Sequence, residues 1–294
     1  MTAPQTPESH DAWRGRHEEA EDTLSADTVR ALAAVLDRAP DGTDAAPPLA
    51  HWLCFQPRAS QSELGPDGHP RRGGFLPPVR LPRRMWAGGA LTFSRPLRTG
   101  EPVRRRSVVA DVREREGRGG PLVFVGVDHE LRQGGAVVLT ERQDIVYRAA
   151  EGAAPASGPA SGPAQSAPRA RPPEEAPAPG TWQRSLVPDP VLLFRYSALT
   201  FNGHRIHYDR AYARQEEGYP GLVVHGPLTA TLLLDLYVGR RPGARVTGFR
   251  FRALRPAFDG RELTLHGTPT EAGAVLYAAD DQGRTVMSAE VDAA

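Results

Sequence analysis

Alanine, proline, serine and glycine make up nearly all of residues 149–180 of this 294-residue chain. A segment of this composition cannot bury enough apolar surface to offset the conformational entropy lost on folding, so it predicts a disordered linker. Because a hydrophobic core cannot continue through it, we expect two domains of comparable size. The predicted organisation is a flexible tail, an N-terminal domain, a linker and a C-terminal domain, over residues 1–20, 21–149, 150–180 and 181–294.

The C-terminal segment has clear helix signals. Asp189 can cap a helix whose first turn accommodates Pro190, and a shorter helix is predicted over 210–217. Pro227 opens a third helix, over 228–238, which is apolar on nearly every face and should be buried on all sides. Three strand-like stretches follow, near residues 244–256, 261–270 and 274–291.

The N-terminal segment has the same order of elements. Ser25 can cap a helix that ends near Arg38, and two prolines at 47–48 precede a second apolar helix over 49–55. A loop rich in glycine and proline spans 65–82. Strand-like stretches then run near residues 85–95, 102–116, 121–132 and 136–148.

A short phrase occurs in both segments at the same place. The sequence RPLRTG at 95–100 and the sequence RPAFDG at 255–260 each lie between the first and second predicted strands. A shared phrase within a shared order of elements indicates an internal duplication. Each half is therefore expected to be one buried helix wrapped by an antiparallel sheet.

The composition excludes several classes of function. None of the 36 basic residues is a lysine, which rules out Schiff-base chemistry and a P-loop. Cys54 is the one cysteine, so an internal disulfide and a multi-cysteine zinc site are excluded. A net charge of +1 and the lack of a long apolar run argue against nucleic-acid and membrane partners. The sequence starts without a signal-peptide pattern, and a cytoplasmic location is expected.

Polar chemistry concentrates in two short stretches, 200–209 and 223–227. Asn202 and His207 lie five residues apart in the first, and the second contains Gly226 just before a proline that opens a helix. A histidine has an intrinsic pKa of about 6.5, which suits general-base work. The free amides and the dipole at a helix start favour an anion. The pattern predicts proton transfer beside a carbonyl oxygen held by backbone N–H groups.

These stretches resemble a known family. Residues 196–213 resemble the hydratase signature of the MaoC-like, (R)-specific enoyl-CoA hydratases, in which an acidic residue precedes a histidine by five positions. Residues 224–227 resemble the second element of that family, and 255–262 resemble its strand signature. The N-terminal half is similar to the degenerate, FAS1-like partner repeat of double-hotdog dehydratases. The resemblance implies an α+β fold, a double hotdog with its catalytic repeat in the C-terminal half.

A narrower subgroup is also similar. Residues 199–209 resemble mitochondrial-type 3-hydroxyacyl-thioester dehydratases and bacterial 3-methylfumaryl-CoA (mesaconyl-C4-CoA) hydratases, and 61–78 look especially like the latter. This implies a hydro-lyase that adds water reversibly to a short enoyl-CoA, with 3-methylfumaryl-CoA to citramalyl-CoA as the preferred prediction. The coenzyme A thioester would be the substrate, with no cofactor. A fatty-acid-type dehydratase, a hotdog thioesterase and an inactive acyl-CoA-binding protein remain alternatives.

Asn202 stands where the broad family has an aspartate. An amide cannot act as a general base near neutral pH, but it can donate and accept hydrogen bonds. His207 is therefore predicted to be the one strong base, with Asn202 holding the water. The Gly226 N–H would stabilise the thioester oxyanion, flanked by His225 and Pro227.

Two further predictions concern metal ions and charged groups. His204, His207 and Asp209 could also be interpreted as metal ligands, but Asn202 and the glycine at 226 would then have no role, so no metal site is predicted. The loop over 65–82 is expected to cover the acyl end and shorten the pocket. A homodimer is left open. Arginines that could contact coenzyme A phosphates or a substrate carboxylate are Arg83, Arg84 and Arg250.

Overall fold

A computed structural model describes residues 10–39, 42–117, 120–149 and 180–294. The predicted linker over 150–180 therefore lies, except for its last residue, outside the described residues. The strands are β1 (His17–Thr23), β2 (Arg83–Phe93), β3 (Pro102–Gly117), β4 (Gly120–Gln133), β5 (Ala136–Arg148), β6 (Trp182–Leu186), β7 (Val246–Ala253), β8 (Leu263–Thr270), β9 (Gly273–Ala279) and β10 (Thr285–Ala293).

These strands form one continuous sheet in the order β1-β3-β4-β5-β2-β7-β10-β9-β8-β6. Each neighbouring pair is antiparallel. The first half of the chain supplies one half of the sheet and the second half supplies the other. They meet where β2 pairs with β7. A Cβ on Gly88 would lie 2.6 Å from the carbonyl oxygen of Phe251, so glycine is required where the two halves approach each other.

The helices of the described residues are α1 (Ala26–Val35), α2 (Pro190–Thr200), α3 (Arg210–Gln215) and α4 (Gly226–Arg240). Every residue of α4 from Leu228 to Leu234 is buried, as its uniformly apolar sequence predicts. The helix packs on β8, β9 and β10, which form the sheet around it. None of the helices among these residues combines the length and the apolar character required to span a bilayer.

The duplication is visible in the hydrogen bonds around the repeated phrase. In the first half the Ala46 N–H donates to the carbonyl of Leu97 over 2.7 Å, and in the second half the Val224 N–H donates to that of Ala257 over 2.9 Å. Each phrase ends in a glycine with positive φ that is bonded to the segment just before the first helix of its half.

The second helix predicted for the N-terminal half is wrong. Residues 49–55 contain only a 3-10 helix, Ala50–Leu53, between Leu49 and Phe55, both of which have positive φ. The segment is too short for its few helical hydrogen bonds to offset helix nucleation, and prolines bound it. The side chains of His51 and Trp52 instead bond to a buried carboxylate on β5. Within its described residues, the first half therefore has no long buried helix.

The tail predicted over residues 1–20 is also wrong where the structure describes it. A 3-10 helix covers His10–Trp13, and β1 begins at His17 and pairs along its length with β3. This strand was missed because it carries charges instead of apolar residues: Glu18 pairs with Arg105 over 3.1 Å. Charged side chains are typical of sheet edges, where they hinder pairing with other chains. The strand at the opposite edge, β6, was missed as well.

Candidate active site

A cavity of about 380 Å³ lies between the two halves of the chain and contains the predicted chemistry. Asn202, His207 and Gly226 line it from the second half. The first half contributes to the same wall through the loop over 65–82 and through β2, with His69 and Arg84 among the lining residues. Both halves are therefore needed to enclose one site.

The position of Asn202 is determined by the end of α2. Phe201, with a φ of 50°, ends that helix, and the Asn202 N–H donates back to the carbonyl of Ser197 over 2.8 Å. The side-chain oxygen of Asn202 accepts the backbone N–H of His204 over 3.0 Å. This bond holds the oxygen in the turn. The NH₂ group, which is the donor of the amide, is therefore left to donate into the cavity.

His207 ends the 3-10 helix Arg205–His207 and is buried. Its Nδ1–H donates to the carbonyl of Val223 over 2.7 Å, which leaves Nε2 as the atom with a free lone pair. Burial lowers the pKa of His207 to about 4, although the Val223 carbonyl raises it in part. The ring is therefore neutral near pH 7 and can accept a proton at Nε2.

His225 lies directly behind His207 and does not line the cavity. The two rings are stacked, with centroids 3.6 Å apart and planes 18° from parallel. The Nε2 atom of His225 is hydrogen-bonded to the hydroxyl of Ser197 over 2.8 Å, and burial lowers the pKa of this histidine well below its ordinary value. Its geometry suits a residue that supports the His207 ring and does not touch substrate.

Gly226 begins α4, so its N–H is one of the amides that have no partner within the helix. Its φ is not in the left-handed region, and a Cβ at this position would meet no protein atom closer than the Trp86 carbonyl oxygen at 3.9 Å. Neither the backbone nor the packing requires glycine here. The missing side chain instead leaves space beside an amide on the cavity wall, where Pro227 also lies.

The loop over 65–82 brings residues that the sequence interpretation missed. A Cβ on Gly68, whose φ is 85°, would overlap the carbonyl oxygen of Gly203, so the two loops are in direct contact. The Arg205 N–H donates to the carbonyl of Asp67 over 2.9 Å. This docking places the ring of His69 4.1 Å from that of His204, measured between centroids. The family resemblance of 61–78 was the available signal, but it did not assign a role to His69.

Asp67, His69 and His204 each offer a ligand atom, and these atoms lie within 4.8 Å of one another. In the part of the chain that the structure describes, this is the group that could hold a metal ion. The set considered from the sequence is not brought together, because Asp209 caps α3 and pairs with Arg205 over 2.7 Å. The absence of a metal stays a prediction.

The three predicted arginines occupy different environments. Arg84 lines the cavity. Arg83 does not; it is buried, 3.4 Å from the carboxylate of Glu217. Arg250 lies on the exposed face of β7 and pairs with two carboxylates of β10. The sequence could not show that Arg83 and Arg250 lie away from the cavity. The alternation of side chains along a strand does not reveal which face of the sheet meets a loop. Arg255, at the start of the repeated phrase, lines the cavity instead.

A family model described as hydroxyacyl-thioester dehydratase type 2 matches residues 49–259. The chain belongs to this family. It is 46% identical over 285 residues to a mesaconyl-C(4)-CoA hydratase of Chloroflexus aurantiacus, covering 96% of each chain. It is 27% identical over 232 residues to the mitochondrial hydroxyacyl-thioester dehydratase type 2 of Schizosaccharomyces pombe, covering 74% of this chain and 76% of the relative. Membership of this family makes the protein a hydro-lyase.

Solved structures support the fold. A MaoC-like dehydratase superposes with a TM-score of 0.72 at 16% identity, covering 97% of this chain and 99% of the other. HtdX of Mycobacterium tuberculosis gives 0.66 at 20% identity, covering 95% and 100%. A second protein of that organism, described as a double hotdog fold, gives 0.57 at 18% identity, covering 95% and 96%. The predicted MaoC-like double-hotdog family is therefore confirmed.

Proposed function

We propose that this hydro-lyase adds water reversibly to the double bond of mesaconyl-C4-CoA, 3-methylfumaryl-CoA, to give citramalyl-CoA. The observation that carries the proposal is the convergence of the Nε2 side of His207, the amide of Asn202 and the N–H of Gly226 on one cavity. The choice of substrate is supported by the Chloroflexus relative, which matches this chain over nearly its whole length.

In the proposed reaction His207 Nε2 removes a proton from water while the NH₂ group of Asn202 holds the water oxygen. The hydroxide bonds to the β carbon, and the electron pair of the double bond moves to the thioester oxygen. The Gly226 N–H and the dipole of α4 stabilise that oxyanion, because negative charge develops there in the transition state. Dehydration reverses these steps.

The same ring then returns its proton to the α carbon as the thioester re-forms. An imidazolium with a pKa of about 4 is a stronger acid than an ordinary one, which favours this transfer. One histidine serving in both steps places hydrogen and hydroxyl on the same face of the double bond. No cofactor beyond the coenzyme A thioester is included in the proposal, and a bacterial cytoplasm is its proposed setting.

The test is a substrate panel followed by loss of enoyl-thioester absorbance. We expect hydration of mesaconyl-C4-CoA with a kcat/KM above that for crotonyl-CoA. Release of free coenzyme A, followed with a thiol reagent, would assign a thioesterase instead. Tight binding of both thioesters without any turnover would indicate an inactive binding protein.

A second candidate is an (R)-3-hydroxyacyl-thioester dehydratase of fatty-acid type, which the family model and the fission-yeast relative favour. The same three groups would serve it, so the discriminating property is the size and charge of the acyl group. Faster turnover of long straight enoyl chains than of mesaconyl-C4-CoA would select this function.

A further inference from the structure

A group of polar side chains adjoins His207 and has no place in the proposed mechanism. The ring of His204 meets that of His207 edge to face, with centroids 5.4 Å apart, and His69 follows at 4.1 Å from His204. Both histidines and Arg84 line the cavity. The guanidinium of Arg84 is close enough to add to the effect of burial in lowering the pKa of His69 and of His204.

Arg84 differs from three other arginines of the described residues, each of which faces or pairs with a carboxylate. Arg83 faces Glu217, Arg205 pairs with Asp209 and Arg210 pairs with Asp259. Among the residues that the structure describes, no carboxylate forms an ion pair with Arg84 within 4.0 Å. A half-buried guanidinium on a cavity wall without an anionic partner indicates that the anion comes from the ligand.

The chemistry of the proposed substrate places an anion at this position. In mesaconyl-C4-CoA the free carboxylate is attached to the β carbon, the carbon that receives hydroxide. Its binding group must therefore lie beside His207 and Asn202. The phosphates of coenzyme A lie beyond the thioester carbonyl and are many bonds farther from the β carbon than this carboxylate.

We propose that Arg84, together with His204, forms a subsite for the carboxylate on the β carbon of the substrate. This inference rests on the proposed function and names the residue that selects a dicarboxylic acyl group. Asp67 acts as a positioning residue: its carboxylate accepts the Nδ1–H of His69 over 3.3 Å and the His69 backbone N–H over 3.1 Å. The His69 ring is thereby held against His204.

The same residues fit a carboxylate better than a cation. Both hydrogen bonds from His69 direct the charge of Asp67 toward that residue, and they hold the pKa of Asp67 below its usual range although burial raises it. The guanidinium of Arg84 on the same cavity wall repels a metal ion but attracts an anion. A bidentate arginine contact also matches the planar geometry of a carboxylate.

The test measures discrimination between two substrates of nearly equal shape. In 3-methylcrotonyl-CoA a methyl group replaces the carboxylate of mesaconyl-C4-CoA. We expect Arg84→Gln to lower the ratio of kcat/KM for mesaconyl-C4-CoA to that for 3-methylcrotonyl-CoA by about 10²-fold, the value of a charge-assisted hydrogen bond. Arg84→Lys should recover part of the ratio, because it keeps the charge without the bidentate geometry. Arg104→Gln, at an exposed position of β3, is the matched control and should keep the wild-type ratio.

The outcomes separate this inference from the proposed function. A wild-type enzyme that hydrates crotonyl-CoA but not mesaconyl-C4-CoA would overturn the proposed substrate. A wild-type enzyme that hydrates mesaconyl-C4-CoA, with an unchanged ratio in Arg84→Gln, would overturn the subsite alone. Loss of wild-type turnover in EDTA, with recovery on adding Zn²⁺ or Mn²⁺, would assign Asp67, His69 and His204 to a metal and also overturn it.

A binding measurement keeps the subsite testable even if the Arg84 variants do not fold. Succinyl-CoA carries a carboxylate at the β carbon and has no double bond, whereas butyryl-CoA has a methyl group there. Calorimetric titration of the wild-type protein should give at least tenfold tighter binding of succinyl-CoA. Equal affinities for the two thioesters would refute a carboxylate subsite.

Discussion

His207 donates its Nδ1–H to the carbonyl of Val223 over 2.7 Å, and Val223 lies three residues before Gly226. This bond fixes the tautomer of the proposed base. It also ties that base to the short segment that leads into α4, where the proposed oxyanion amide lies. The spacing between proton transfer and charge stabilisation is thus held by this bond together with the one that the Val223 N–H donates to the carbonyl of Ile206 over 3.0 Å.

Replacing His207 by alanine tests the base directly. His207→Ala should lower kcat by about 10²–10⁴-fold, the usual contribution of a positioned general base. The Kd of a saturated analogue such as succinyl-CoA should change little, because the ring faces water and the reacting carbons. His17→Ala, at an exposed position of β1, is the control. A His207→Ala enzyme with nearly wild-type kcat on both mesaconyl-C4-CoA and crotonyl-CoA would refute the mechanism.

The pH dependence of hydration should report the burial of His207. The base works only when neutral, and its pKa is lowered to about 4, so activity should be complete above about pH 5. It should fall as the pH drops through 4, by about tenfold per unit below that value. Short assays of kcat/KM after a pH jump, with circular dichroism at each pH, give the measurement. An acid limb near pH 6.5, the value for an exposed histidine, would show that the ring is solvated in the working enzyme.

Asn202→Asp separates the two tasks of this side chain. An aspartate can still accept the His204 N–H, so the local turn should survive. It replaces the NH₂ donor by a carboxylate, which adds a second titrating group near His207 and shifts the pH profile. The new charge should repel the substrate carboxylate and reduce mesaconyl-C4-CoA turnover more than crotonyl-CoA turnover. Asn202→Ala should lower kcat on both substrates, since the water is then poorly oriented. Equal losses on both substrates in Asn202→Asp would contradict a nearby carboxylate.

Gly226→Ala tests the space beside the oxyanion amide. The nearest protein atom to the new methyl group would be 3.9 Å away, so the protein should fold with an unchanged or slightly higher Tm. The methyl group would nevertheless occupy the cavity where the thioester oxygen is proposed to bind, and kcat/KM should fall by about 10²-fold or more. Val238→Ala, at an exposed position of the same helix, is the control. Full activity of Gly226→Ala would remove this amide from the mechanism.

The sequence was most informative where local rules act alone. Asp189 caps α2 through its side chain, as predicted, and α4 is buried on the faces that its apolar residues indicate. The spacing of Asn202 and His207 identified two neighbours in one loop. Contacts between distant segments could not be inferred in this way. His69 reaches His204 only because two glycines, 68 and 203, allow their loops to touch.

The predictions for the sheet edges and for the helix at 49–55 were wrong for a similar reason. Residues 17–23 read HEEAEDT, with four acidic residues, so no apolar pattern marks β1, and its pairing with the arginine-rich strand β3 makes it a strand. The apolar run at 49–55 has helical composition, but hydrogen bonds from His51 and Trp52 to Glu141 hold it in a tighter turn. In both cases tertiary contacts outweigh local propensity.

The contact between the loops can be tested at Gly68. Gly68 has a φ of 85° and Gly73 has a φ of 95°, so both lie in the left-handed region. An alanine at either position therefore carries comparable backbone strain. Only Gly68 touches the active-site loop, because a Cβ there would overlap the Gly203 carbonyl, whereas a Cβ on Gly73 would meet Pro78 at 3.5 Å. Gly68→Ala should therefore displace His69 from His204.

We expect Gly68→Ala to reduce kcat/KM for mesaconyl-C4-CoA by at least tenfold more than Gly73→Ala does, at a temperature where both variants are folded. The loss should be larger for mesaconyl-C4-CoA than for 3-methylcrotonyl-CoA, because the displaced loop supports the proposed carboxylate subsite and not the base. Kinetics on both substrates and thermal melts of both variants provide the comparison. Matching losses in the two variants would mean that strain within the loop, and not its contact with the site, controls activity.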